Sequence, residues 1–167
     1  MKEKGIETAV SAVKAINDKL GKTAFLLDIY GQVEPSQELW FSGLQRKFPG
    51  YISYKGMVEF DKSVTVLRNY TALLFPTYYA GEGFAGTLID AMAAGVPIIA
   101  SDWKYNAEIV RENETGVIIR DGESLEEKLL WLLNNIDFWN VMKRNSIEEA
   151  KKYLPARALD MFMKRLA

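Results

Sequence analysis

The chain has 167 residues, a formal net charge of −1, 49% hydrophobic residues, and neither cysteine nor histidine. That length and apolar content suit one domain with a real core. The charge balance argues against nucleic acid, which calls for a basic footprint, and the missing Cys and His exclude disulfides and leave zinc without its usual ligands.

In chain order, Ile6, Val10, Val13, Ile16 and Leu20 recur at helical spacing, with Gly21 as the stop. Residues 24–30 form a near-continuous apolar run, the signature of a parallel strand buried on both faces. Ser36 is placed to cap a helix to about Lys47, and Phe48-Pro49-Gly50 ends it. Residues 52–54 read as a short strand. Asp61 is placed to cap a helix through Leu67, and 71–75 is a buried strand that Pro76 ends, because proline has no N–H for a ladder. Residues 87–94 form a short helix with Gly95 as its stop, and 97–100 and 115–119 are strands. Ser124 with Glu127 is a capping-box pattern for a helix to about Leu133. Asp137 is placed to cap a long helix to about Tyr153, and Leu159, Phe162, Met163 and Leu166 mark a last helix. Trp40, Trp131 and Trp139 fall at helical positions and read as packing residues. Alternating helices and strands predict an α/β fold, a Rossmann-like open parallel sheet with helices on both faces. No segment approaches about 18 continuous apolar residues, so nothing is expected to span a membrane. No apolar core follows the first residues, so they do not read as a signal peptide, and a cytoplasmic location is the expectation.

The most informative segment runs from Phe75 to Ile99. An apolar strand leads into a loop broken by Gly81, Gly83 and Gly86, then a helix, then a second strand. Two carboxylates, Glu82 and Asp90, flank the helix start. Free N–H groups at residues 84–87, at the positive end of a helix, attract anions. Asp90 lies about one turn further on, on the same face as Gly86 and Thr87, where it can accept hydrogen bonds from a diol such as ribose. Glu82 can do the same for a sugar on the other side of a diphosphate. The plainer reading stands beside this one: such turns also serve simple packing, and Asp90 is then a solvated helix residue. Ligands of open parallel sheets bind at the carboxyl ends of strands, here 31–34, 55–58, 76–87 and 101–106. Tyr78 and Tyr79 are placed either to line such a cleft or to cover the strand end.

Residues 82–102, from Glu82-Gly83-Phe84-Ala85-Gly86-Thr87 through Asp90-Ala91-Met92-Ala93-Ala94-Gly95-Val96-Pro97 to Asp102, resemble the donor-site signature of retaining GT-B glycosyltransferases of family 4, also called group 1. The resemblance covers nearly the whole chain. Lys4-Gly5 resembles the family's Lys-Gly before its first helix, Gly31 its strand-ending glycine, and 54–58 its Phe-x-Gly-x-Val. Residues 106–110 and 113–117 resemble its Pro-Glu-Val-Val and Asn-Gly-x-Leu segments.

That resemblance implies one half of a GT-B fold: residues 1–167 as a nucleotide-sugar-binding domain, without the facing N-terminal acceptor domain. Phe84, Ala85, Gly86 and Thr87 would hold the diphosphate by backbone N–H groups, with Gly83 beside them in the donor-binding loop, and Lys4 would neutralise it. Asp90 would take the ribose, Glu82 would orient the donor sugar as the catalytic carboxylate, and Met57 and Val58 would lie in the base-binding loop. The nucleotide sugar is the substrate, and neither cofactor nor metal is implied. The acceptor would be a glycan or lipid-linked glycan. Lys143, Arg144, Lys151, Lys152, Lys164 and Arg165 give a mildly basic C-terminal part, read first as a solvated helix face and second as peripheral membrane contact.

Two departures from the family pattern matter. Asp90 stands where the family has Glu, one methylene longer. The family's strand before Lys-Gly, which carries a diphosphate-binding Arg and lies between the strands at 24–30 and 71–75, is absent. Those strands are therefore expected to pair directly, shifting Lys4 from the diphosphate, or the chain to self-associate through the open edges, with a solvent-filled gap that loosens the domain as the less favoured third outcome. The isolated chain is expected to be inactive. Two alternatives remain: a UDP-sugar 2-epimerase-like domain, which would need His partners that this chain lacks, and a non-catalytic binding module partnering a separate chain.

Overall fold

The computed structural model describes residues 1–154 and 157. Its elements run α1 (Ile6–Leu20), β1 (Leu27–Tyr30), α2 (Glu38–Gln45), β2 (Ile52–Gly56), α3 (Ser63–Leu67), β3 (Leu73–Phe75), α4 (Gly86–Ala93), β4 (Ile98–Ser101), α5 (Asn106–Ile109), β5 (Gly116–Ile119), α6 (Leu125–Asn134) and α7 (Ile136–Ala150). Every strand pair is parallel, and helices cover both faces.

The side chains of the central strand show why two helical layers are needed. Ile98 and Ala100 of β4 enter one core, with Leu88, Ala91 and Met92 of α4 and Ile109 of α5. Ile99 enters the other, with Val10, Val13 and Ile16 of α1 and Leu125, Leu129 and Leu132 of α6. Successive strand residues point to opposite faces, so an all-apolar strand must be buried twice. In β5, Val117 and Ile118 divide the same way.

The strands do not form one continuous sheet. β1 pairs only with β2, and β3, β4 and β5 form a separate sheet in that order. The expected direct pairing of β1 with β3 does not form. Side chains link the two pieces instead. α1 packs Ile29 and Ile52 of the two-stranded piece into the same core as Ile99 and Val117 of the three-stranded one. Tyr70, just before β3, donates to Asp28 Oδ2 of β1 at 2.7 Å, and its hydroxyl is 2.6 Å from that of Tyr30. Burial and the bonds to Tyr30 and Asp28 push the Tyr70 phenol well above its ordinary range, so it stays neutral. Each of these strands has its ladder partner elsewhere: β1 pairs with β2, and β3 with β4.

Several boundaries differ from the sequence expectations for local reasons. β1 starts at Leu27 rather than residue 24, because the buried Asn17 Oδ1 takes the N–H groups of Ala24 and Phe25 at 2.9 and 3.0 Å. β3 likewise starts at Leu73. Ser36, Asp61 and Asp137 do not cap. A 3₁₀ turn at Pro35–Gln37 precedes α2, another at Phe60–Lys62 precedes α3, and α7 starts at Ile136 after Asn135. Before α2 and α3 the tight turn already occupies the first amides, leaving no role for a capping side chain, and Asp137 already lies inside the first turn of α7. The Ser124–Glu127 capping box forms in both directions, at 3.2 and 2.9 Å. The last helix expected around Leu159 lies outside the described residues, as do Lys164 and Arg165. No helix among the described residues is long and apolar enough to cross a membrane.

Candidate donor-binding site

The site forms at the carboxyl ends of the strands, where the loop after β3 meets the N-terminal turn. Gly5 makes that meeting possible. It has φ 76°, and a Cβ there would lie 2.0 Å from the carbonyl oxygen of Pro76, so only glycine fits. Tyr78 N–H donates to Glu3 O at 2.8 Å and stitches the two segments together. Further along the loop, Ser101 Oγ donates to Thr77 O, and Trp103 Nε1 donates to Tyr79 O at 2.8 Å. The end of β4 thus braces the strand-to-helix loop from the other side.

This bracing brings Lys4 onto Glu82. Lys4 Nζ donates to Glu82 Oε2 at 2.7 Å, and Thr77 Oγ1 donates to the same oxygen at 3.0 Å. The Glu82 carboxylate is 8% exposed, whereas Lys4 is one-third exposed. A carboxylate this buried requires such partners. Its other oxygen, Oε1, has no hydrogen bond among the described residues and remains an acceptor. Lys4 Nζ has two further N–H donors, and it stands 5.0 Å from the centroid of the Tyr79 ring. Lys4 therefore stays at the loop, and is not drawn away as direct strand pairing would have required.

α4 begins at Gly86, with Ala85 in extended conformation at its N-cap and no side-chain cap. Among the described residues no backbone hydrogen bond uses the N–H groups of Gly83, Phe84, Ala85, Gly86 or Thr87; the first bonded amide is that of Leu88, to Ala85 O at 3.0 Å. Gly83 and Gly86 have ordinary negative-side backbone angles, and a Cβ at either would meet nothing within 4 Å. Neither the backbone nor internal packing demands glycine there. A glycine in open space beside unbonded amides leaves room for another molecule to reach the backbone. Phe84 is largely exposed, with its ring 5.8 Å from that of Tyr153.

Asp90 lies on the next turn of α4. Ser63 Oγ, at the first position of α3, donates to its Oδ2 at 2.6 Å. Gly31 and Gly56 close the ends of β1 and β2: Gly31 N–H donates to Gly56 O at 2.9 Å, and both glycines have positive φ, 130° and 75°. Met57, Val58 and the fully exposed Phe60 lead from Gly56 into Ser63, so the loop suggested for a base runs directly into the residue that holds Asp90. Lys4, Glu82 and the 83–87 loop are thus gathered at one place and Asp90 with the 57–63 segment beside α4, while Gly31 is tied to β2 through Gly56 and Tyr54.

Thr77 and Ser63 were not singled out from the sequence. Thr77 carries no spacing signal; only the loop conformation turns it toward Glu82. Ser63 was hidden by the reading of Asp61 as a helix cap, which made Ser63 an ordinary helix residue. Among the described residues no cluster of three or more acidic side chains could hold a metal ion.

This chain and its fold have known counterparts. The family model for glycosyl transferases group 1 matches residues 1–152, and the chain belongs to that family. It is 29% identical over 160 residues to a 2-deoxystreptamine N-acetyl-D-glucosaminyltransferase of Niallia circulans, covering 92% of this chain and 39% of that protein. In fold it is similar to Anabaena HepE, solved in complex with UDP and glucose, with TM-score 0.83 at 13% identity over 99% of this chain and 45% of that one. It is also similar to the C-terminal domain of the Francisella tularensis group 1 glycosyltransferase LpcC, with TM-score 0.77 at 18% identity over 91% of this chain and 80% of that one. The chain spans about two fifths of the length of the curated glycosyltransferases it matches.

Proposed function

We propose that this chain is the donor-binding, C-terminal domain of a retaining glycosyltransferase, and that it holds a nucleoside diphosphate sugar above residues 82–90. The observation that carries this reading is the run of unbonded amides at 83–87, beside glycines that face open space and between two fixed carboxylates. The diphosphate would sit on those amides at the positive end of α4. Lys4 would donate its remaining N–H groups to phosphate oxygens, Asp90 would accept from the ribose, and Glu82 Oε1 would accept from the donor sugar. Glu82 can hold one orientation because Lys4 and Thr77 fix Oε2.

In the transfer step the bond between the sugar and the diphosphate breaks, and negative charge grows on the leaving diphosphate. Donors already aimed at that charge lower the barrier without reorganising. The helix end and Lys4 supply them in this reading, with no metal or cofactor. A facing acceptor domain would position the acceptor, a glycan or lipid-linked glycan, whose hydroxyl oxygen bonds to the sugar in place of the diphosphate while its proton leaves with the diphosphate. The isolated chain would therefore show no multiple-turnover transfer. The name of the Niallia circulans relative supports a sugar-transfer reaction, and HepE, solved with UDP and glucose, supports a nucleotide site. Lys151 and Lys152 are paired with Glu148 and Glu149, which favours a solvated face over membrane contact at these positions.

Titration with UDP, GDP and ADP, read by backbone amide NMR, tests the reading. We expect amides 83–87 to shift with Kd in the high-micromolar to millimolar range, about −4 to −6 kcal/mol, since half of the cleft belongs to another domain. If those amides stay still at millimolar ligand for all three nucleotides, the assignment is wrong.

A further inference from the structure

We propose that Ser63 and Asp90 act together as one acceptor for the ribose diol, and that Ser63 is a specificity-determining residue of the nucleotide site. This inference rests on the nucleotide-sugar reading above and adds a residue that α3 contributes to it.

The argument starts from proton counting. A hydroxyl has one proton to donate and two lone pairs to accept with. Ser63 Oγ lies 2.6 Å from Asp90 Oδ2 and 3.4 Å from Phe60 O. The ionised carboxylate can only accept, so the short contact claims the serine proton. Ser63 Oγ is then an acceptor for anything further that approaches it. Asp90 Oδ2 is occupied, and Oδ1 accepts nothing among the described residues. Asp90 Oδ1 and Ser63 Oγ are therefore two free acceptors on either side of Oδ2. A vicinal diol presents two O–H donors on neighbouring carbons, and such a pair of acceptors takes one each.

Side-chain length points the same way. An aspartate reaches one methylene less far from its helix than a glutamate does. With Ser63 bonded to it, the polar surface extends beyond the carboxylate onto α3, so the short acid need not reach both hydroxyls itself. Ser63 and Asp90 are both half-buried, so the pair is fixed yet remains open to a ligand.

The test uses the 167-residue chain with UDP, GDP and ADP and the 2′-deoxy and 3′-deoxy forms of whichever binds best. Wild type should prefer the ribonucleotide over both deoxy forms. Asp90→Ala should lose both preferences. Ser63→Ala should lose the preference over one deoxy form by about tenfold, the worth of one hydrogen bond, while keeping the other. Ser63→Thr and Ser63→Val have the same shape and differ in the hydroxyl; Thr should keep both preferences and Val should behave as Ala does. This pair decides the matter even if Ser63→Ala folds poorly.

The inference is overturned if the hydroxyl-free variants keep both wild-type preferences while Asp90→Ala loses them. It is also overturned if those variants weaken the ribonucleotide and both of its deoxy forms equally, because that is loss of support for α4 and not loss of an acceptor. If wild type shows no preference for the ribonucleotide, or Asp90→Ala changes nothing, the nucleotide reading itself fails and this inference falls with it.

Discussion

The two pieces of the sheet are both parallel and end up in unlike surroundings. β4 is buried on both faces through its three apolar residues, Ile98, Ile99 and Ala100 at 0% exposure, and is flanked by β3 and β5. In β1 and β2 only Ile29 and Ile52 are buried, and Leu26 beside them is largely exposed. An apolar run shows that a strand wants burial, but its depth depends on how many neighbours the topology supplies. The functional groups follow the same division. The loop that carries Glu82 follows the half-buried β3, and the helix that carries Asp90 packs on the buried β4 of the three-stranded piece. The two-stranded piece contributes Gly31, Gly56 and the exposed 57–60 segment. Rigid support thus lies under the diphosphate and sugar side of the proposed site, and looser support under the base side.

The largest test of this difference is Trp139→Ala. Trp139 is fully buried, its Nε1 donates to Thr71 O at 2.8 Å, and its ring packs 6.3 Å from that of Trp131. It joins α7 to the segment entering β3. Its loss should cost about 3–5 kcal/mol in a denaturant melt. A cost below about 1 kcal/mol would mean that the three-stranded piece is not the rigid half.

Gly5→Ala comes next. The new Cβ would overlap Pro76 O and sit at positive φ, so the N-terminal turn must move off the loop. We expect a loss of about 2–3 kcal/mol, from the left-handed conformation plus the displaced contact. Amides 77–82 should shift in NMR spectra while those of β2 stay in place. Shifts confined to residues 1–5 would show that the turn is not what holds the Glu82 loop.

The pH dependence of stability isolates a smaller bond on the packed side. Burial alone would raise the Glu149 carboxyl, but hydrogen bonds from Lys152 and Arg111, at 2.7 and 3.1 Å, hold it below its ordinary value. A folded-state pKa below the unfolded one gives stability that is present above the unfolded value, near 4.5, and lost as pH falls through the folded one. Because both cations are half-exposed, the contribution is about 1–2 kcal/mol. Glu149→Gln should remove that part of the acid-side decline, measured as midpoint denaturant between pH 6 and pH 3. An unchanged profile would exclude Glu149 as its source.

How far the site could be read in advance follows from the same physics. The glycine loop, the two carboxylates and the helix between them were visible because that chemistry lies within one contiguous stretch. Hydrophobic spacing was enough for α1, and the Ser124–Glu127 pattern for the start of α6, since both are local. Thr77 and Ser63 were not visible, because each acts on a carboxylate through a contact that only folding creates. The starts of α2, α3 and α7 were misread for a related reason: a 3₁₀ turn or a flanking residue took over where Ser36, Asp61 and Asp137 looked like caps. The separation of β1 from β3 is the outcome that the sequence reading favours least. Unpaired backbone at those edges seemed too costly to leave, yet Tyr70 and the shared α1 core hold the pieces without a ladder.

The smallest effect tests the comparison most directly, because it makes the same change in both pieces. Ile99→Val and Ile52→Val each delete one methyl group from a buried strand residue, at 0% and 4% exposure. The transfer term is therefore nearly equal, and what differs is how well the surroundings close over the space left behind. Ile99 sits on a central strand between two paired neighbours and beneath α1 and α6, so little can move without breaking ladders. Ile52 sits on β2, which pairs on one side only, so its strand can settle inward. We expect about 1.5 kcal/mol for Ile99→Val and about 0.5 kcal/mol for Ile52→Val in equilibrium denaturation. Equal costs would mean that both pieces resist collapse alike. The looseness assigned to the base side of the site would then have no energetic basis, and the exposed 57–60 segment would have to be explained by its own loop and not by the strand beneath it.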